Sequence, residues 1–223
     1  MLGDKVYRNR REAGEALAQR LMARRYADPV VLALPRGGVP VGLEVARALH
    51  APLDVLLVRK IGAPGQPELA TAAIVDGAQP ELVVNEEVVA ATGMTRAEID
   101  AEAQRQLREI ERRRVAYVGS RAALPLAGRT VIVVDDGIAT GTSVRAALRA
   151  LRARQPARLV LAVPVAPADT LARLAPLVDE VVCPATPEPF IAIGLHYADF
   201  HQLEDREVVA AMDEAAGWSS PGA

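Results

Sequence analysis

Two periodicities alternate along the chain of 223 residues. Short, mostly apolar runs fall at 29–34, 53–58, 131–134, 158–164 and 179–183, the pattern of strands buried on both faces of a sheet. Between them lie stretches whose apolar residues recur three and four apart. Asn9 with Glu12 reads as a capping box, and Ala13, Leu17 and Leu21 mark one face of a helix running to about residue 25. Further helices are predicted over 41–49, 168–174 and 204–216 and, briefly, over 86–91 before Gly93. Thr95 with Glu98 forms a second capping signal, opening a charge-dense helix to about residue 118 in which Ile99, Ala103, Leu107 and Ile110 keep the period. Residues 70–75 and 81–84 read as two short strands turning at Asp76-Gly77, whereas the two glycines and two prolines of 61–68 predict a long loop without regular structure. Strands alternating with helices imply an α/β fold: a mostly parallel twisted sheet flanked by helices, with any ligand at the carboxyl ends of the strands. The length suits one domain, residues 1–223, with 86–118 as a helical insertion.

The segment 129–149 is the one that best combines this pattern with chemistry. The β-branched run Val131–Val134 stops at Asp135-Asp136, and Gly137-Ile138-Ala139-Thr140-Gly141-Thr142-Ser143 then leads into an Ala/Leu/Arg-rich helical stretch. A strand, a tight small-residue loop and a helix N-terminus aim free N–H groups and a positive dipole end at one point, which makes a phosphate seat. Two carboxylates in front of that seat would repel the phosphate, so they must serve something uncharged or cationic attached to it. Ribose hydroxyls and Mg²⁺ both qualify.

Other nucleotide and metal motifs fail. Gly-Lys-Ser/Thr occurs nowhere, which removes a P-loop ATPase despite the strand ending in Asp-Asp, and Arg36-Gly37-Gly38 after the first strand lacks the spacing of a dinucleotide fingerprint. His50, His196, His201 and the single cysteine, Cys183, make no Cys/His cluster of the kind that holds zinc. The formal net charge of -2 argues against a nucleic-acid partner, although the first 60 residues are net basic; that excess fits a solvated, Arg-rich first helix. The lone cysteine, the lack of a signal-like start and the lack of any apolar stretch of about 18 residues lead us to expect a cytoplasmic protein with no membrane segment. Positive charge is almost all arginine, so Lys60, after Arg59 at a strand end, stands out. Aromatics make up 3% of the chain, yet Phe190, Tyr197 and Phe200 lie close together.

The order of strand, Asp-Asp, Ala-Thr-Gly-Thr-Ser loop and helix resembles the phosphoribosyl pyrophosphate (PRPP) signature of type I phosphoribosyltransferases. Two more stretches extend the resemblance over roughly residues 30 to 145: Leu34-Pro35-Arg36-Gly37-Gly38 is similar to the family's pyrophosphate loop, and Arg59-Lys60 to the start of its mobile catalytic loop. The resemblance implies a Mg²⁺-dependent enzyme of nucleotide salvage that moves the 5-phosphoribosyl group from PRPP to a nitrogen acceptor, a nucleobase, releasing pyrophosphate. It assigns Asp135 and Asp136 to the ribose hydroxyls, with Mg²⁺ held through PRPP nearby rather than by the protein. Gly137, Ile138, Ala139, Thr140, Gly141, Thr142 and Ser143 fall to the 5'-phosphate, and Arg36, Gly37 and Gly38 to the pyrophosphate, with a non-proline cis peptide expected at or beside Arg36-Gly37. Arg36 and Lys60 become counter-charges for the leaving group, and the loop at about 60–70 becomes a lid that excludes water. Ala139 stands where 6-oxopurine enzymes carry an aspartate base. The spelling is nearer to adenine phosphoribosyltransferase, which makes Glu68 of the lid the candidate base. A small hood of N- and C-terminal residues, from about 184 onward, is expected to hold the acceptor, with Phe190 or Tyr197 as a stacking platform unless these rings simply pack in the core. A homodimer is plausible by the same resemblance. A PRPP-binding regulator of the same fold without catalysis is the alternative, and a phosphohydrolase lacks an evident nucleophile.

Overall fold

In the computed structural model the described residues are 6–77 and 80–218, the side chains of Pro67 and Glu68 apart. In chain order the elements are α1 (Arg10–Met22), β1 (Pro29–Ala33), α2 (Gly38–Leu49), β2 (Leu53–Val55), β3 (Val58–Ala63), β4 (Gln66–Val75), β5 (Glu81–Val84), α3 (Glu86–Thr92), α4 (Arg96–Val118), β6 (Thr130–Val134), α5 (Thr142–Ala153), β7 (Arg158–Ala162), α6 (Ala168–Leu174), β8 (Glu180–Val182) and α7 (Asp205–Trp218). Short 3-10 turns occupy Ala175–Leu177 and Ile193–His196.

Five strands form a parallel sheet in the order β2-β1-β6-β7-β8, as the alternating pattern predicts. Its central strands read as unbroken apolar runs because both faces are covered. Val131, Val133, Leu159 and Leu161 face α5 and its Ala147, Leu148 and Leu151, while Ile132, Val134, Val160 and Ala162 face α1 and α2 through Leu17, Leu21, Val41 and Val45. Each such side chain contributes roughly 1.5–3 kcal/mol on burial, so the sheet is the rigid part of the molecule. A second sheet, β3-β4-β5, is antiparallel and packs its apolar residues with α4 and α7 through Ile61, Ile74, Ile99, Ile110 and Met212.

Two expectations need correction here. The apolar run 53–58 does not make one strand: β2 belongs to the parallel sheet and β3, after Leu56-Leu57, to the antiparallel one. Residues 61–68 are not an irregular loop either, since β3 and β4 form a hairpin closed by Pro64-Gly65. Proline followed by a glycine at φ 72 meets the demands of a tight turn. The remaining breakers, Gly62 and Pro67, fall where the ladder slips register between Gly62↔Ala70 and Ala63↔Gln66, so neither interrupts a regular pair.

Smaller differences have local causes. The helix α2 starts at Gly38, three residues before the apolar period becomes visible. The Asn9 side chain caps α1 by accepting from Glu12 N, but the Glu12 carboxylate accepts from Arg8 N, so only half of the expected box forms. The Thr95/Glu98 box is complete. No helix among the described residues is long and apolar enough to cross a membrane.

Candidate active site

The carboxyl ends of β1 and β6 lie side by side, with Ala33 paired to Val134, and this register brings two sequence motifs together. After β1 the chain turns through a cis peptide bond between Pro35 and Arg36, adjacent to the bond where one was expected. Gly37 and Gly38 then pass directly over the end of β6. A Cβ on Gly37 would stand 2.1 Å from Asp136 Oδ2, and one on Gly38 2.7 Å from the Val134 carbonyl oxygen. Only residues without a side chain permit that approach; the Gly38 N–H closes the turn on the Leu34 carbonyl at 2.9 Å.

Beyond Asp136 the loop reaches α5 through Gly141, whose φ of 75 lies in the left-handed region. Ile138 N donates to the Val165 carbonyl and Thr170 Oγ1 to the Ala139 carbonyl, so the loop is tied down from below while Ala139 and Thr140 stay exposed. The N–H groups of Ala139, Thr140, Gly141, Thr142 and Ser143 find no acceptor among the described residues. No side chain caps α5 and no acidic residue occupies its first turn. Such an end attracts an anion by about 0.3–2 kcal/mol from the dipole alone, with several N–H and O–H donors adding to it. Thr140, Thr142 and Ser143 supply hydroxyls at the same place, the first two with their oxygens 3.5 Å apart.

The two aspartates are not equivalent. Asp136 is buried and its Oδ2 accepts from Arg10 Nε at 2.7 Å; the guanidinium also donates to the His201 carbonyl at 2.9 Å and lies 3.9 Å from the centre of the Phe200 ring. Asp136, expected to serve ribose hydroxyls alongside Asp135, thus has one carboxylate oxygen turned inward to a cation. Asp135 is partly exposed, and its Oδ1 accepts from Asp136 N at 2.9 Å. Burial, and then the neighbouring Asp136 charge, push its carboxyl well above the usual carboxylate range. Burial raises Asp136 as well, with Arg10 opposing the shift.

The remaining expected residues are more dispersed. Arg36 extends toward α7, with Nη1 at 3.7 Å from Asp205 Oδ1, and Tyr117 donates to the same carboxylate oxygen at 2.7 Å. Lys60 sits within β3 rather than at a strand end. There it lines a cavity of about 570 Å³ with Glu98, Glu102 and Arg105 of α4, whose lining includes none of residues 135–143. Glu68 belongs to β4, and its side chain lies outside the described residues. Tyr197 has no exposed surface: its hydroxyl donates to the Asp136 carbonyl at 2.5 Å and its ring packs between Tyr7 and Phe200. That overturns its expected role as a stacking platform, because no ring face is left for a ligand. Phe190 is partly exposed against His196, and Ile191 beside it is 73% exposed.

Sequence reading missed Arg10, Tyr7 and Ile193. Arg10 looked like one more cation of a solvated helix, although its spacing from Ala13 and Leu17 puts it on the buried face of α1, unlike the exposed Arg8 and Arg11. Tyr7 donates to the Pro164 carbonyl and pairs with Tyr197 in an isolated parallel bridge, which fastens the segment before α1 to the segment after β8. Ile193 packs where a Cβ on Gly137 would be, 2.6 Å from its Cγ2.

A phosphoribosyl transferase domain model matches residues 4–198, and the chain belongs to that family. Two Mycobacterium tuberculosis proteins, "Putative phosphoribosyl transferase MT0597" and "Putative phosphoribosyl transferase Rv0571c", are each 49% identical to it over 211 residues, or 95% of this chain. The chain spans about half of their length, 47% of each. Among solved structures, TT1426 from Thermus thermophilus is similar with a TM-score of 0.83 and 42% identity, over 93% of this chain and 98% of that one.

Proposed function

We propose that the chain transfers the 5-phosphoribosyl group from PRPP to a nitrogen of an acceptor base. The observation that carries this reading is the contact between Gly37 and Asp136, which unites the Arg36-Gly37-Gly38 turn and the 135–143 seat in one surface. A diphosphate at the first and a 5'-phosphate at the second would hold the ribose between them, over Asp135. Binding at both ends fixes the anomeric carbon for attack. As the acceptor nitrogen bonds to that carbon, the carbon–oxygen bond to pyrophosphate breaks and pyrophosphate leaves with the electron pair. Negative charge grows on the leaving group, so donors available to the pyrophosphate matter most: the N–H of Gly37, since that of Gly38 is held by the Leu34 carbonyl, and the guanidinium of Arg36.

Mg²⁺ arriving with the diphosphate would supply further neutralisation. The donor set fits that role and not a protein-held ion, since no group of three or more His, Cys, Asp or Glu side chains among the described residues could hold a metal, while Asp135 offers one carboxylate beside the substrate oxygens. Lys60 and Glu68, on the β3–β4 hairpin, would join the site by hairpin movement that also excludes water. Phe190 and Ile191 provide apolar surface for a planar acceptor.

The test is incubation with PRPP, Mg²⁺ and a panel of nucleobases, following pyrophosphate release, with the Asp135→Asn variant as control. Release that depends on one acceptor and is lost in the variant supports the reading. Tight PRPP binding without release for any acceptor would replace it with a PRPP-binding regulator, a reading favoured by one feature, the methyl group of Ala139 exposed where a base could stand.

A further inference from the structure

Arg10 belongs to no donor-site motif, yet it forms an ion pair with a carboxylate of the Asp-Asp pair. It comes from the first turn of α1 and crosses 126 positions of sequence to reach Asp136 at 2.7 Å, with both side chains about nine-tenths buried. The guanidinium uses its plane fully. Nε meets the carboxylate, Nη1 the His201 carbonyl, and one face covers Phe200, so the side chain cannot rotate without breaking three contacts.

The carboxylate it holds is also the wall against which the Gly37 backbone rests, and the carbonyl of the same residue receives the Tyr197 hydroxyl. Asp136 thus sits between the pyrophosphate turn, the phosphate loop and the Tyr197–His201 segment. Without a counter-charge it would place a second buried anion beside Asp135 under a substrate carrying several negative charges. Repulsion over such short distances in a partly dry site is the effect to remove.

We propose that Arg10 is a positioning residue of the donor site. It neutralises Asp136, leaving Asp135 as the carboxylate presented to the ribose, and through Asp136 it sets the distance between the Gly37–Gly38 turn and the 5'-phosphate seat. The proposal rests on the PRPP reading given above.

Calorimetric titration of PRPP with Mg²⁺ into the wild-type chain, Arg10→Ala, Arg10→Lys, Asp136→Asn and the double variant Arg10→Ala/Asp136→Asn tests it. Arg10→Ala leaves a buried anion beneath the substrate, and Asp136→Asn weakens the hold that spaces the Gly37–Gly38 turn from the 5'-phosphate seat, so each is expected to weaken PRPP binding by about tenfold or more. The double variant leaves no unpaired charge at either position and is expected to bind more tightly than Arg10→Ala, while Arg10→Lys keeps the charge, loses the fork and falls between wild type and Arg10→Ala. A merely structural arginine would lower the melting temperature and leave the PRPP affinity of the folded protein unchanged, and that result overturns the proposal. So do losses that simply multiply in the double variant. Should Arg10→Ala fail to fold, wild-type affinity in folded Arg10→Lys overturns it and weakened affinity supports it. Absence of PRPP binding by the wild-type chain overturns the donor reading itself and the proposal with it; normal wild-type binding with an unaffected Arg10→Ala overturns the proposal alone.

Discussion

The contact between Gly37 and Asp136 makes Gly37→Ala the most discriminating single change. Gly37 has φ -58 and ψ -39, a conformation open to any residue, so a substitution there carries no backbone penalty of its own. The cost is steric. The added methyl would lie 2.1 Å from Asp136 Oδ2, 2.5 Å from its Cγ and 2.8 Å from its Oδ1, all far inside van der Waals distance. A flexible surface side chain would swing away, but this carboxylate is buried and fixed by Arg10. Either the turn lifts or the ion pair opens. Overpacking of this kind costs about 1–3 kcal/mol, and partial loss of the buried pair adds to it. For a domain of this size each kcal/mol lowers the melting temperature by about 2–4 °C, so a fall of roughly 4–10 °C is expected. The PRPP affinity, measured by calorimetry on the still-folded variant, should drop by about tenfold or more, because the N–H of residue 37 moves away from the diphosphate. Gly217→Ala is the control: nothing lies within 4 Å of its Cβ position and its φ is not positive, so it should be neutral or stabilising by up to about 1 kcal/mol. A Gly37→Ala protein with wild-type melting temperature and PRPP affinity would refute the account of how the two motifs meet.

Three further changes probe other parts of the molecule. Arg114 bridges Asp54 at 2.8 Å and Asp76 at 2.9 Å, both buried, so Arg114→Met should cost about 3–5 kcal/mol in urea unfolding by stranding two carboxylates; a loss under about 1 kcal/mol would contradict this. Asp205→Asn removes the carboxylate that competes for Arg36, and PRPP binding at low salt should tighten a few-fold; weaker binding would mean that Asp205 holds Arg36 in its working position. Burial raises the Cys183 thiol to about 11. Because the folded value lies above the unfolded one, its contribution to stability is complete below the unfolded value and is lost as pH rises through about 11. At pH 8 a thiol reagent should therefore label native Cys183 far more slowly than the urea-unfolded chain, and equal rates would exclude the assignment.

How much of this was legible in the sequence depends on the range of the interaction. Val131–Val134 and Ala168–Leu174 are settled by periodicity within a few residues, and the structure places both close to the predicted bounds. The hairpin of β3 and β4 was hidden because Gly62, Pro64, Gly65 and Pro67 read as breakers, and only the pairing of one strand with the other shows that two of them make a turn and two fall at a register slip. The candidate phosphate seat was visible because strand, loop and helix N-terminus are contiguous. The fate of Asp136 was not, because it is decided by a residue 126 positions earlier.

That asymmetry has a chemical consequence. Two adjacent carboxylates in a sequence look interchangeable, and period two puts neighbours of a strand on opposite sides. At the end of β6 the same alternation gives Asp135 a partly open environment and gives Asp136 a buried arginine. The difference in surroundings, rather than in residue type, separates a group available to a ligand from one that holds the walls of the site in place. Tyr197 follows the same logic: an aromatic that would suit a stacking platform instead donates its hydroxyl to the backbone of Asp136 and joins the support. Phe190, Ile191 and the methyl of Ala139, the groups proposed to face an acceptor, carry no ionisable group themselves; His196, stacked on Phe190 at 4.9 Å and kept neutral more readily by burial, lies beside them. If transfer occurs there, the proton must pass to His196, to a group brought in by the β3–β4 hairpin, or to solvent. An acceptor whose nitrogen is already deprotonated at neutral pH would need none of these.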